Sequence, residues 1–158
     1  MKKKFFPLNL GSFSAKGFDD IYFVPVFFDR ILEGMAAWFI LWGIALFFRK
    51  YGLSGIKEHL DLLLFPSLSL LVFVLLYIAA YNPISNIKFP VYITRQNAWR
   101  QHRLAVRFVR LINVEIALLL MTFPLLDNFV MMTYVPFVMI GLILLSFLVY
   151  FIWAYWIR

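Results

Sequence analysis

The 158-residue sequence has no cysteine, so it can form no disulfide, no thiolate nucleophile and no Cys-ligated metal or iron–sulfur site. Histidine is almost as scarce: there are only His59 and His102, too few for an imidazole metal cluster. Charge is sparse as well, at 15% of residues against 64% hydrophobic and 20% aromatic. That leaves too little polar material to coat a water-soluble globule. Also missing are a glycine-rich phosphate loop, a His-Glu-x-x-His helix and a Gly-x-Ser-x-Gly elbow. Nothing in the chain points to an enzyme, and no cofactor or metal is implied.

What remains is hydrocarbon in long runs. A membrane core of about 30 Å needs about 20 apolar residues per crossing, and four runs approach that length. The first covers about 31–48, "ILEGMAAWFILWGIALFF", closed by Arg49 and Lys50, and the second about 62–80, ending at "YNP". A third apolar run stops at Pro124, and the fourth covers about 136–157 with Pro136 suited to a first helical turn. The short "LLDNF" link predicts that helices 3 and 4 are antiparallel neighbours. The expected fold class is therefore all-α: an integral membrane, four-transmembrane-helix bundle, 1–158 as a single membrane domain. Residues 1–30 fit neither a helical nor a strand period. Their phenylalanines are punctuated by Pro7, Gly11, Gly17 and Pro25, which predicts an N-terminal arm lying at the headgroups. "MKKK" has no apolar signal core behind it, so the arm is expected to stay attached.

The positive charge, +7 overall, reads first as topology. Lys and Arg number five before helix 1, three between helices 1 and 2, six from Lys88 to Arg110, none between helices 3 and 4, and one at the end. Alternate segments thus hold twelve against three, and the positive-inside rule places both termini and the 82–107 segment in the cytoplasm. His59 and His102 then lie on opposite sides and cannot share a metal. Within the cytoplasmic block, Thr94 precedes a helix-forming run and can cap the N–H groups around Asn97. Helix 3 is therefore expected over about 94–123, including a cytoplasmic extension. On it Arg100, Arg103, Arg107 and Arg110 fall within an arc of roughly 80°. They form one basic stripe, expected to snorkel to anionic lipid headgroups or to meet a partner. Nucleic acid is not an expected partner, because the stripe hugs the membrane and only Trp99 offers a stacking ring nearby.

Polar residues inside the spans are the other candidates. Glu115 sits in helix 3, where a charge near the centre of a span costs about 2.5–3.5 kcal/mol. The ten Leu, Ile, Val and Phe residues between Leu111 and Leu126, at roughly 0.3–0.6 kcal/mol each, can carry that cost. Glu115 is expected to be a shallow carboxyl, paired with an arginine or protonated; its alternative role is in a proton or cation relay. Asn113 is expected to bond across helices, and Glu33 to join a local ion pair with Asp29 and Arg30 at the start of helix 1.

The stretch "KFPVYITRQNAWRQHRLAVRFVRLINVEIALLL" resembles the carboxyl-terminal part of a bacterial family of small multi-pass membrane proteins of unknown function. The family pattern is Tyr/Phe-Pro-x-x-Ile-Thr-x-x-Asn-Ala-x-x-Gln, matched by Phe89, Pro90, Ile93, Thr94, Asn97, Ala98 and Gln101. That family is similar to a domain of SdpI-type proteins, which confer immunity to a secreted peptide toxin. "FDRILEGMAAWFI" resembles its first helix, and its Ile-Pro-x-His-Phe-Asn loop would fall on "IKEHLD". There Ile56 and His59 match, while Lys57, Leu60 and Asp61 replace Pro, Phe and Asn. The resemblance covers about 26–123 and implies a multi-pass protein of the bacterial cytoplasmic (inner) membrane. The functional expectation is non-catalytic binding of membrane lipids, a secreted peptide or another membrane protein, immunity-like or as an accessory subunit. The alternative is a small proton- or ion-coupled transporter using Glu115 at a site between helices 2 and 3.

Overall fold

A computed structural model of the chain describes residues 8–18, 21, 23–52, 60–122 and 134–158, with side chains left aside for 60–62. Its element order is β1 (Leu8–Asn9), β2 (Phe13–Ser14), α1 (Phe27–Tyr51), α2 (Leu60–Ala80), a 3-10 turn (Ile84–Asn86), β3 (Ile87–Phe89), α3 (Ala98–Thr122) and α4 (Val135–Trp156). The chain is an all-α bundle, and α1, α2 and α4 are each long and apolar enough to cross a membrane. Such uniformly apolar helices can be solvated only by lipid or by one another. Accordingly α1 exposes Trp38, Leu41 and Trp42, and α4 buries little beyond Pro136, Tyr150 and Ala154.

α3 is the exception that organises the rest. It carries four arginines and Glu115, yet it is the most buried helix, and α1, α2 and α4 all pack against it. α1 runs parallel to α3, since Leu32, Ala36 and Ile40 meet Val114 and Ala117 while Gly43 lies against Met121. A Cβ on Gly43 would overlap the Met121 side chain, so the missing side chain is what lets the two helices approach there. α2 is antiparallel to α3, with Ala80 packed on Val106 and Val109. α4 is antiparallel too, with Phe108 stacked on Tyr150 at 4.4 Å between ring centroids and edge-on to Phe147 at 4.8 Å. The antiparallel pairing of α3 and α4 is as expected; their connecting hairpin, like the outer loop around His59, lies outside the described residues.

The N-terminal arm departs from expectation. Leu8–Asn9 pairs in parallel, and Phe13–Ser14 antiparallel, with Ile87–Phe89, giving a small sheet of order β1-β3-β2. In place of an arm lying free at the headgroups the segment forms sheet, and its two-residue strands are too short to display a period of two. Gly11 makes the turn between them possible: a Cβ there would run into the backbone of Phe89 and Pro90. β3 alternates Ile87 in, Lys88 out, Phe89 in, and its inward residues join Ala15, Ile93, Ala98 and Ala105 in a core that caps one end of the bundle. α1 also starts earlier than expected, at Phe27, because the Asp29 carboxylate Oδ2 accepts from the Val26 N–H at 2.9 Å and closes its first turn.

The expected start of α3 at Thr94 becomes a cap preceding Ala98. The Thr94 N–H donates to Asn97 Oδ1 at 2.8 Å, and the Asn97 N–H to Thr94 Oγ1 at 3.3 Å. Asn97 Nδ2 also donates to the Tyr92 carbonyl at 3.0 Å, locking the approach from β3. Both Thr94 and Asn97, picked out by resemblance, are thereby explained as helix-entry residues.

Candidate functional site: a charge cluster and an apolar groove on either side of α3

The basic stripe divides. Arg107 and Arg110 turn toward α1, where Asp29 and Glu33 stand one turn apart. Asp29, fully buried, uses its second oxygen here: Oδ1 accepts from Arg107 Nε at 3.1 Å and lies 3.9 Å from Arg110 Nη1. Glu33 Oε1 accepts from Arg110 Nε at 2.7 Å, and its Oε2 accepts from the Tyr81 hydroxyl at 3.3 Å. Arg110 is only 2% exposed. Its guanidinium lies 5.0 Å from the Phe23 ring and 5.3 Å from the Tyr81 ring. Two cations and two carboxylates thus close into a neutral cluster joining α1, α3 and the residue after α2. Burial, then the Tyr77 hydroxyl and the Glu33 charge, raise the Tyr81 pKa, which keeps its O–H available to donate.

Two expectations are corrected by this geometry. Arg110 does not snorkel to lipid: it is buried, its Nε donates to Glu33 across the helix interface, and its Nη1 and Nη2 are buried with no hydrogen-bond partner among the described residues. Glu33 pairs with Arg110 rather than with the local Arg30. The sequence held the signal: Asp29 and Glu33 at i, i+4 on one helix match Arg107 and Arg110 at i, i+3 on another, and charges at membrane depth seek each other. Arg100 and Arg103 stay outward, Arg100 exposed and Arg103 half-buried with its guanidinium 5.2 Å from the Trp99 ring.

Near the sheet end, His102 is buried, its Nε2 3.2 Å from the Asn82 carbonyl and its ring edge-on to Phe23. Burial lowers its pKa, so the ring is neutral with its proton on Nε2 facing that carbonyl. Gln101, also buried, donates from Nε2 to the Ala154 carbonyl at 2.7 Å and so pins the last turns of α4. Asn113 Nδ2 donates to the Phe73 carbonyl of α2 at 3.3 Å, the interhelical bond expected of it.

Glu115 faces α4. The Ser146 hydroxyl donates to its Oε1 at 2.6 Å, while Oε2 is buried with no hydrogen-bond partner among the described residues. Among the described residues no arginine pairs with it, so of the expected alternatives, arginine pairing or protonation, the first is not found, and the polar contact lies between α3 and α4 rather than between helices 2 and 3. Beside that pair, α1 and α4 diverge on the flank of α3 and leave a groove of about 470 Å³. Its walls are Phe28 and Leu32 of α1, Leu104, Arg107, Phe108 and Leu111 of α3, and Leu145 to Trp153 of α4. Ser146 and Arg107 apart, the lining is almost wholly apolar. Among the described residues no group of three His, Asp or Glu gathers as metal ligands.

No family model, curated protein or solved structure matches the chain.

Proposed function

We propose that this protein is a non-catalytic multi-pass membrane protein that works by binding, taking up membrane lipid, a peptide or a membrane partner. It would sit in a bacterial cytoplasmic membrane with both termini inside, as its charge asymmetry and its SdpI-like Thr-x-x-Asn-Ala block suggest. The observation that carries the reading is the groove: an apolar cleft opening sideways from the bundle, with an arginine in its wall, suits an amphiphilic occupant rather than a reacting one. The ionic cluster supports it as well. Arg107, Arg110, Asp29 and Glu33 are engaged with one another, so none stands poised over an open polar cavity as a reactive group would.

Purification in mild detergent followed by mass spectrometry of accompanying lipids and polypeptides tests the reading. A defined species retained in near-stoichiometric amount is expected; a protein that emerges with nothing but detergent contradicts it. The alternative, proton- or ion-coupled transport through Glu115, draws on the partnerless Oε2 of that residue. Glu115→Gln separates the two, since transport requires a titratable carboxyl there whereas binding in the groove does not.

A further inference from the structure

We infer that the groove between α1, α3 and α4 seats one acyl chain of an anionic phospholipid from the leaflet at the sheet end of the bundle, its headgroup held by Arg100 and Arg107. The inference rests on the binding reading above and names the ligand for it. Three observations converge.

The first is length. From Trp153 to Leu145 the α4 wall spans eight residues, about 12 Å of helix axis. That matches a chain within one leaflet, half of a hydrocarbon core of about 30 Å. A partner transmembrane helix would run past the groove through both leaflets, so the cleft is cut to a lipid's dimension rather than a helix's.

The second is charge placement. At 100° per residue Arg100, Leu104, Arg107 and Leu111 share one stripe of α3, so two cations alternate with two apolar groove positions toward the sheet end. Arg107 is oriented through Nε by Asp29, yet its side chain keeps 30% exposure. Arg100 is exposed, and no ion pair among the described residues involves it. A phosphate above the groove would find one guanidinium already positioned and a second within a side chain's reach.

The third is the rim. Phe28 and Trp153 flank the opening, Trp156 follows one turn beyond, and indole rings at that level mark the headgroup boundary. Below them the lining turns apolar until Ser146, whose hydroxyl is already spent on Glu115.

Trp153 supplies the probe. In full-length protein with Trp38, Trp42, Trp99 and Trp156 each changed to Phe, reconstituted in phosphatidylcholine vesicles, Trp153 fluorescence reports chain occupancy through quenching by lipids brominated on the acyl chain. Brominated phosphatidylglycerol is expected to quench at lower mole fraction than brominated phosphatidylcholine, by about fivefold per engaged arginine. Arg100→Gln, which breaks no internal pair, should remove about fivefold of that preference. Val149→Phe, which fills the groove, should abolish it while the protein stays folded by circular dichroism. Equal quenching by the two lipids, or a preference that survives Val149→Phe, overturns the assignment. If quenching is equal but a specific polypeptide co-purifies, the lipid assignment falls and the binding reading stands; if nothing co-purifies either, both fall.

Discussion

The two flanks of α3 solve opposite problems with the same helix. Toward α1 and α2 it presents Arg107 and Arg110 to Asp29 and Glu33, and small residues such as Gly43, Ala36 and Ala117 bring the backbones close. Toward α4 it presents Phe108, Leu104 and Leu111, and Glu115 there meets a serine hydroxyl beside an open groove. The first flank is neutralised and its groups serve cohesion, with Arg107 at its edge keeping 30% exposure in the wall of the groove. The second is loosely covered, and a packing defect facing lipid is where an exchangeable ligand can enter. The greater concentration of charge in this bundle thus lies on its more tightly packed flank, and the looser flank is almost wholly apolar.

The largest effect expected to break this contrast comes from Arg110. Arg110→Met leaves the partly buried Glu33 without its cation, and losing one partner of a buried pair costs about 3–5 kcal/mol, to be read as a collapse of the melting temperature in detergent. Adding Glu33→Gln to Arg110→Met should restore part of that loss, which a purely steric role for the arginine would not allow. Next comes Gly43→Val, where overpacking against Met121 should cost about 1–3 kcal/mol in the same assay. On the opposite flank Ser146→Ala should cost only about 0.6 kcal/mol, the usual worth of an interhelical hydrogen bond in a membrane. If Ser146→Ala proved as damaging as Arg110→Met, the division into a structural and a binding flank would fail.

The smallest effect is one of pH. His102 is held neutral by burial, with its pKa below the ordinary 6.5. The unfolded chain therefore takes up a proton that the folded one resists, so stability is full above about pH 6.5 and falls as pH drops below it. His102→Gln, able to keep a donor toward Asn82, should flatten that acid limb of a melting-temperature profile while leaving the neutral value nearly unchanged.

How much of this the sequence disclosed follows from the range of the interactions concerned. The spans at α1, α2 and α4, Pro136 in the first turn of α4 and the Thr94–Asn97 cap are written in windows of a few to twenty residues, and hydropathy or capping chemistry reads them. The sheet unites strands nearly 80 residues apart, from Leu8 to Ile87, through main-chain bonds that carry no side-chain signature. The Asp29 and Glu33 pairs to Arg107 and Arg110 span 78 and 77 residues. Their charges are visible in the sequence, but choosing a second helix over lipid phosphate as their counterpart needs knowledge of which helices touch. The groove is of the same kind, since it exists only where three segments fail to meet.

The position of β3 between β1 and β2 carries a consequence for biogenesis. The first twenty residues leave the ribosome long before residue 87, so their strands have no template until two hydrophobic segments have already been delivered to the bilayer. Over that interval α1 holds two carboxylates without the arginines that neutralise them. Nascent chains arrested before residue 98 should accordingly be extracted or degraded, and quality-control proteases should release their grip only once α3 has emerged to close both the sheet and the charge cluster.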